Sequence, residues 1–417
     1  MTFTSHVALA GPGRDGNSGQ RGVAARLRLR GENIRAPRVV PGGRVHVVPG
    51  AVDDGNPYDI ICITAEFGLP HWTGAWRRLL TESHSPEKIY QTPEFFRFLV
   101  DSQTTASDQF ELFLVKDRVQ DSIVGMVPVR ISSIALDFGL ATWQPRVIRL
   151  LGSVPLMPVD AALMHQLFAH LLRAFPDCAA VSMQAFPVEL QALLDAGRSQ
   201  AAFAVHGWRA CHTIPLPEDV PAYLGKMSAK KRYNLGRQYR RLEQATGPLE
   251  LVRIDRSAAV KDLVAGVLAL APDGDRARTA ARDYRVLAAN RLLLSYVLRS
   301  GDAVIAVIAG SRYGDTWHVH QILYAPAYRH LSAGTVALHT ALQDVIAHFA
   351  FTAADMGFGT PRDRFASTHV LKTRAHLLVA RRRTWAALLL GAFVRIDTIR
   401  AACAGRVKSM MRQHRRT

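Results

Sequence analysis

Met227-Ser228-Ala229-Lys230-Lys231-Arg232-Tyr233-Asn234-Leu235-Gly236-Arg237-Gln238-Tyr239-Arg240-Arg241-Leu242-Glu243 decides how the rest of this chain is read. Six of the twelve side chains from Lys230 to Arg241 are cationic. Ser228 is placed to cap a helix. At about 100° per residue, Lys230, Asn234, Arg237 and Arg241 fall on one narrow face, with Leu235, Tyr239 and Leu242 roughly opposite. The spacing predicts an amphipathic helix with one face for packing and another that can hold an anion.

Outward from that helix, 417 residues at 48% hydrophobic content fit two folded domains, each with its own core. The net charge of +18 is unevenly spread. Residues 1–50 carry eight Arg against Asp15 and Glu32, residues 226–241 carry seven Lys or Arg and no acid, and residues 381–417 carry nine Arg and Lys408 against Asp397. The remaining body is therefore slightly acidic, and the basicity belongs to two ends and one helix. Such patches attract phosphates in general: nucleic acid, anionic lipid or the phosphates of coenzyme A. Cys62, Cys178, Cys211 and Cys403 lie far apart, with no metal-ligand or disulfide spacing, so neither a metal nor a disulfide framework is expected and Cys178 is read as core. The first 50 residues lack an apolar h-region, and no run approaches the roughly 18 apolar residues of a spanning helix, so a cytoplasmic protein is expected.

Residues 1–56, rich in Gly, Pro and Arg, read as a disordered basic extension. From Tyr58 a strand at Asp59 to Ile63, helices at Pro70 to Thr81 and from Thr92-Pro93-Glu94, and a hairpin of 110–115 with 122–129 follow, then a helix at Met164 to Ala174 and a strand at Ala179 to Gln184. The second half repeats this order. Helices are expected at 258–270 and 279–299, with a hairpin of Ala303 to Ala309 and Thr316 to Tyr324, and a helix after Gly334. The fold class is α/β (α+β). The boundaries expected are an extension 1–56, a first domain 57–215 that is mainly architectural, a second domain 216–383 that binds and reacts, and a basic tail 384–417.

The order Ser-x-Lys-Lys-Arg-x-Asn-Leu-x-Arg-x-x-Arg-x-Leu-Glu over 228–243 resembles the signature segment of the FemAB-like acyltransferases, tandem-domain members of the GNAT superfamily. The resemblance extends to Asp355-Met356-Gly357-Phe358-Gly359 with Lys372, similar to the family's closing Asp-x-Gly-x-Gly…Lys segment, although residues 360–370 intervene. It implies two GNAT-like domains, each a mixed sheet flanked by helices. The chemistry it implies is transfer of an acyl group from acyl-CoA, acetyl-CoA foremost, without a metal. The turn Arg329 to Thr335 looks like the family's pyrophosphate turn, with Arg329, Ser332, Ala333, Gly334 and Thr335 as donor-binding candidates. A helix start there also exposes backbone N–H groups at the positive end of the dipole.

Removing a proton from an amine acceptor calls for a base, and His320 and Asp355 are the candidates. Strict alternation puts His318, His320, Ile322 and Tyr324 on one face, and Tyr324 is a third catalytic candidate. Lys230, Arg232, Asn234, Arg237, Arg241 and Lys372 are the acceptor-binding candidates. The acceptor expected is a small molecule or polymer precursor related to the cell envelope or to polysaccharide. Two rivals remain: a FemX-type transferase using aminoacyl-tRNA, the one case in which nucleic acid is a partner, and a non-catalytic basic adaptor. The tail from Arg381 to Arg416, cations around the apolar run Trp385 to Val394, suits peripheral contact with the inner face of an anionic membrane.

Overall fold

The computed structural model describes residues 57–83, 88–101, 108–196, 201–270, 274–358 and 370–414. The extension 1–56, Gly359 and residues 360–369 lie outside them. The first half runs β1 (Tyr58–Thr64), α1 (Ala65–Glu82), a 3₁₀ turn (Lys88–Gln91), α2 (Pro93–Asp101), β2 (Gln109–Asp117) and β3 (Ser122–Ser133). A small hairpin of β4 (Leu136–Asp137) and β5 (Thr142–Trp143) follows, then β6 (Arg146–Leu150), α3 (Ala161–Ala174), β7 (Ala180–Pro187), α4 (Gln191–Asp195) and β8 (Ala201–Pro215). The second half runs α5 (Val220–Gly225), α6 (Ala229–Thr246), β9 (Glu250–Ile254), α7 (Val260–Leu270), α8 (Gly274–Ala289), β10 (Ser295–Ser300), β11 (Ala303–Tyr313) and β12 (Thr316–Tyr324). A 3₁₀ turn (Pro326–Leu331) leads to α9 (Ala333–His348), β13 (Ala353–Phe358), β14 (Val370–Arg381) and α10 (Trp385–His414).

Twelve strands form one mixed sheet in the order β1-β2-β3-β6-β7-β14-β8-β13-β12-β11-β10-β9. It divides into two six-strand halves of matching layout. The parallel pairs are β6/β7 in one half and β12/β13 in the other. The sixth strand of each half is exchanged: β8, from the first half of the chain, pairs with β13, and β14, from the second, pairs with β7. β8 and β14 pair antiparallel with each other at the centre.

Apolar alternation along the strands fixes what covers each face. Leu377 and Val379 of β14 join the core under α3, while Leu378 and Ala380 join the core under α10, so those two helices lie on opposite faces. A shared core joins Trp76 and Phe96 of the first half to Leu263, Leu287 and Val307 of the second. A fourth packs α5, α6 and α9 against the second half through Tyr223, Leu235, Leu242, Trp317 and Leu342.

Beyond β6 and β14, strands in stretches that carried no strand expectation, two regions differ from the sequence reading. The helix expected through 299 stops at Ala289, Arg291 takes a left-handed conformation (φ 59°), and β10 begins at Ser295. Leu292, Leu293, Leu294, Tyr296, Val297 and Leu298 are all buried, so the run is a strand covered on both faces. The region from 201 onward, without a helical or strand expectation, is the long strand β8. No helix among the described residues is long and apolar enough to cross a membrane.

Candidate active site

The site forms where two parallel strands part. β12 and β13 are paired only over Thr316, Trp317 and His318 with Ala353, Ala354 and Asp355, and no pairing continues beyond. Both strands are irregular at this point. Gln321 opposes Ala309 and Val319 opposes Gly310, which leaves His320 as an extra residue in β12. Gly310 is required at the bulge, since a β-carbon there would stand 2.7 Å from the His318 carbonyl oxygen and 2.8 Å from that of Leu294. In β13 the register against β8 shifts between Asp355 and Phe358, and Gly357 at φ 63° turns its N–H onto Asp355 Oδ1 at 2.8 Å. The strands diverge from a base formed by His318 and Asp355.

That base is polar and sealed. His318 and Asp355 are 4% and 6% exposed. His318 Nδ1 lies 3.9 Å from Asp355 Oδ2, and Arg374 Nη1, delivered by the exchanged strand β14, lies 3.7 Å from the same oxygen. Burial holds the His318 imidazole below its ordinary pKa, against the opposing pull of Asp355, so it is a neutral base near pH 7. His320 is half-buried and lies within 2.7 Å of Ser311 Oγ, and burial followed by repulsion from His318 lowers its pKa to about 3. Tyr90 of the first half packs against His318 with ring centroids 6.1 Å apart.

At the mouth of the fork, Ser332 adopts φ 63°, ψ 37° and starts α9 without any side-chain cap. Thr335 and Val336 donate their N–H groups to the Ser332 carbonyl at 2.9 and 3.1 Å, so Ala333 and Gly334 supply the first-turn N–H groups that the helix itself does not use. Gly334 is tightly packed: a β-carbon would stand 2.9 Å from the Tyr324 ring and 3.4 Å from Ile322, so only glycine lets the end of β12 approach the helix start. Together these form a cradle suited to an anionic group.

α6 runs beside this cradle. Ser228 caps it by accepting from Lys231 N–H at 3.3 Å, and Gln238 Nε2 donates to Ser332 Oγ at 3.4 Å. Lys230, Arg237, Arg240 and Arg241 are exposed along its outer side and Asn234 is half-buried. Arg232 instead donates to the carbonyls of Met227 (2.6 Å) and Leu224 (3.4 Å), closing the end of α5. Arg329 is exposed in the 3₁₀ turn before α9, and Tyr324 is 38% exposed at the end of β12. Lys372 is exposed on β14, and by alternation it shares a face with Arg374.

The structure thus places His320 and Tyr324 on β12, which leads to the donor-binding candidates, and Asp355 beside His318 on β13, and leaves Lys230, Arg237 and Arg241 of α6 on a separate outer row. Sequence reasoning gave no role to Arg374, Tyr90 or Ser311. The pairing of His318 with Asp355 needed the parallel register, which has no local sequence signal. No cluster of three or more His, Cys, Asp or Glu side chains suited to a metal occurs among the described residues.

Residues 229–365, which begin at α6 and include both strands of the fork, match the family model of the acetyltransferase (GNAT) domain. Among solved structures the chain is similar to FemX, with 7% identity, a TM-score of 0.54, and coverage of 74% of this chain and 96% of that one. It is also similar to a tandem GNAT protein from the clavulanic acid biosynthesis pathway, with 13% identity, a TM-score of 0.49, and coverage of 78% and 98%. No curated protein matches the chain.

Proposed function

We propose that the chain is an acyl-CoA-dependent N-acyltransferase. The observation that carries this is the β12/β13 fork, with a neutral histidine and a carboxylate at its base and an uncapped helix start at its mouth. The N–H groups of Ala333 and Gly334, with Arg329 exposed nearby, would hold the donor's pyrophosphate, and the parted strand edges would hold its extended arm. The donor supplies a thioester. An acceptor amine attacks its carbonyl carbon, a C–N bond forms and the C–S bond breaks. His318, at the floor of the fork with Asp355 3.9 Å away, is the candidate to take the proton from the amine through an intervening water, and Tyr324 is the candidate to protonate the departing thiolate.

The acceptor in this reading is an amine or hydroxyl of a cell-envelope or polysaccharide-related molecule, supported by the resemblance of the α6 segment to FemAB-like enzymes. Calorimetric titration with acetyl-CoA, succinyl-CoA and longer acyl-CoAs tests the donor; micromolar binding is expected, and binding of none of them removes the proposal. The exposed row Lys230, Arg237, Arg240 and Arg241 favours one alternative, a tRNA-borne donor. A steeply salt-dependent tRNA affinity together with silence toward every acyl-CoA would select it.

Peripheral membrane contact belongs to the same proposal. Trp385, Leu388 and Ile399 of α10 are 81%, 64% and 62% exposed, beside the exposed Arg382, Arg383, Arg395 and Arg400. Flotation with anionic vesicles should lose the protein when Trp385 and Leu388 are replaced by Ser.

A further inference from the structure

The two exchanged strands bring a second group of polar side chains together, away from the fork. Across the β8/β14 pair, Arg209 stands opposite Arg374 and His206 opposite His376. Residues directly opposite on antiparallel strands share a face, so these four side chains form one block at the centre of the sheet. The bulge at Gly207 (φ 66°), between His206 and Arg209, keeps both on that face. The row continues onto the next two strands. Ser182 Oγ of β7 lies 2.7 Å from His376 Nε2, and Arg149 of β6 stands opposite Ser182.

The block is rich in donors and poor in acids. Arg374 has Asp355 as its acid partner. Asp397 of α10 is engaged by His206 at 2.6 Å. Arg209 is exposed and has no acid partner among the described residues. The Nε of Arg149 is shut off from solvent and has no hydrogen-bond partner there. Like charges directly opposite each other in a sheet are destabilising unless something neutralises them. Burial and repulsion by Arg130 pull the Arg149 guanidinium down to about 10, and His376 is held to about 3 by burial and by its cationic neighbours. Burial is the larger cause of both shifts, and the acid that acts on Arg149, Asp108, is itself ion-paired with Arg130 at 2.6 Å.

We infer that Arg209, Arg149, His206, His376 and Ser182 form a binding site for an oxyanion, a phosphate or carboxylate, carried by the acceptor substrate. The assignment to the acceptor rests on the acyltransferase reading; the anion site itself does not. Asp355 lies level with Thr213 of β8 and His376 level with His206, so the two are offset by seven residues, about 20 Å, along the sheet as well as by two strand spacings, about 10 Å, across it. The acceptor class is therefore an extended molecule whose nucleophilic amine or hydroxyl lies about 20 Å from its anionic group. Arg374 reaches from the block to Asp355 and links the two positions.

The test is a titration of inorganic phosphate into the full chain carrying ¹⁵N-labelled histidine, with the His206 and His376 ring signals assigned by His→Gln replacements. Both signals should move together, and Arg209→Gln and Arg149→Gln should each weaken the effect tenfold or more. Arg209 is exposed, so its replacement tests the site without a folding risk. Gly334→Leu, at the donor cradle, should leave the phosphate response unchanged. No movement of either ring, or movement insensitive to Arg209 and Arg149, overturns the inference. Acetyl-CoA binding measured on the same samples separates the two proposals. If acetyl-CoA fails to bind while the histidine shifts persist, the acyltransferase reading falls and the oxyanion site stands. Loss of the shifts alone has the opposite meaning.

Discussion

The two halves of the sheet share a layout down to a single bulge, yet they place different chemistry on it. In β13 two residues, Met356 and Gly357, bulge between Asp355 and Phe358; in β7 Gln184 and Ala185 bulge between Met183 and Phe186. Gly357 and Ala185 have φ of 63° and 57°. The parallel neighbours correspond too, with His318 opposite Asp355 in one half and Leu150 opposite Met183 in the other. The helix that follows each neighbouring strand completes the contrast. α3 is capped by Asp160, whose carboxylate accepts from Leu163 N–H at 2.8 Å, whereas α9 starts on Ser332 without a side-chain cap. A carboxylate at a helix start neutralises the very feature that would draw a phosphate. The loop after β6 also folds back, with Met126 N–H bonded to Leu156 O at 2.8 Å and Gln91 Nε2 to Val154 O at 2.5 Å. One half puts polar side chains at the base of its fork; the other puts apolar ones there, and its chain beyond β6 runs on along β3 and Gln91.

The largest expected effect tests whether the difference is catalytic. His318→Ala and Asp355→Asn should each lower turnover by about 10²–10⁴. Leu150→Ala and Met183→Ala at the matching positions should leave turnover in place and cost stability, about 2–5 kcal/mol by denaturant titration. Equal kinetic losses in both halves would end the comparison. Next, Gly334→Leu should raise the acetyl-CoA dissociation constant at least tenfold, because the side chain would displace the Tyr324 ring. Asp160→Ala should not change donor affinity and should cost only about 1 kcal/mol of stability as a lost cap.

Acid should act unevenly on the halves. His318, His320 (about 3) and His339 (about 4) in the second half, and His170 and His376 (about 3) in the first, are held neutral by burial. The unfolded chain protonates histidine below about pH 6.5 while these sites resist, so it binds more protons and stability falls as pH drops from there toward 3–4. Hydrogen exchange compared at pH 7 and pH 4.5 should show greater loss of protection in β10–β13 than in β1–β3. The smallest effect concerns the bulges themselves. Gly357→Ala should destabilise and Ala185→Gly stabilise, each by about 1 kcal/mol, since a left-handed conformation penalises a β-carbon.

Much of this was legible locally. Ser228 and the apolar spacing of Leu235 and Leu242 announced α6, and the two apolar runs Ala303 to Ala309 and Thr316 to Tyr324 announced β11 and β12. The exchange of β8 and β14 was not legible, because each strand's partners lie far away in sequence; β14 pairs with Ser182 and Val181, nearly 200 positions earlier. Leu292 to Leu298 satisfied helix and strand alike, and only burial on both faces decided. At the site, strict alternation put His318 and His320 on one face but gave no hint of the extra residue in β12. His318 gained a partner only through tertiary register.

The exchanged strands also bear on how the protein is made. A ribosome releases the first half of the chain well before residues 370–381 of β14 exist, so until they emerge β7 has an unpaired edge of backbone donors and acceptors. β8, already synthesised, is the nearest wrong partner for that edge. During translation the nascent chain is therefore exposed to mispairing until β14 emerges, a hazard that a holdase chaperone would relieve.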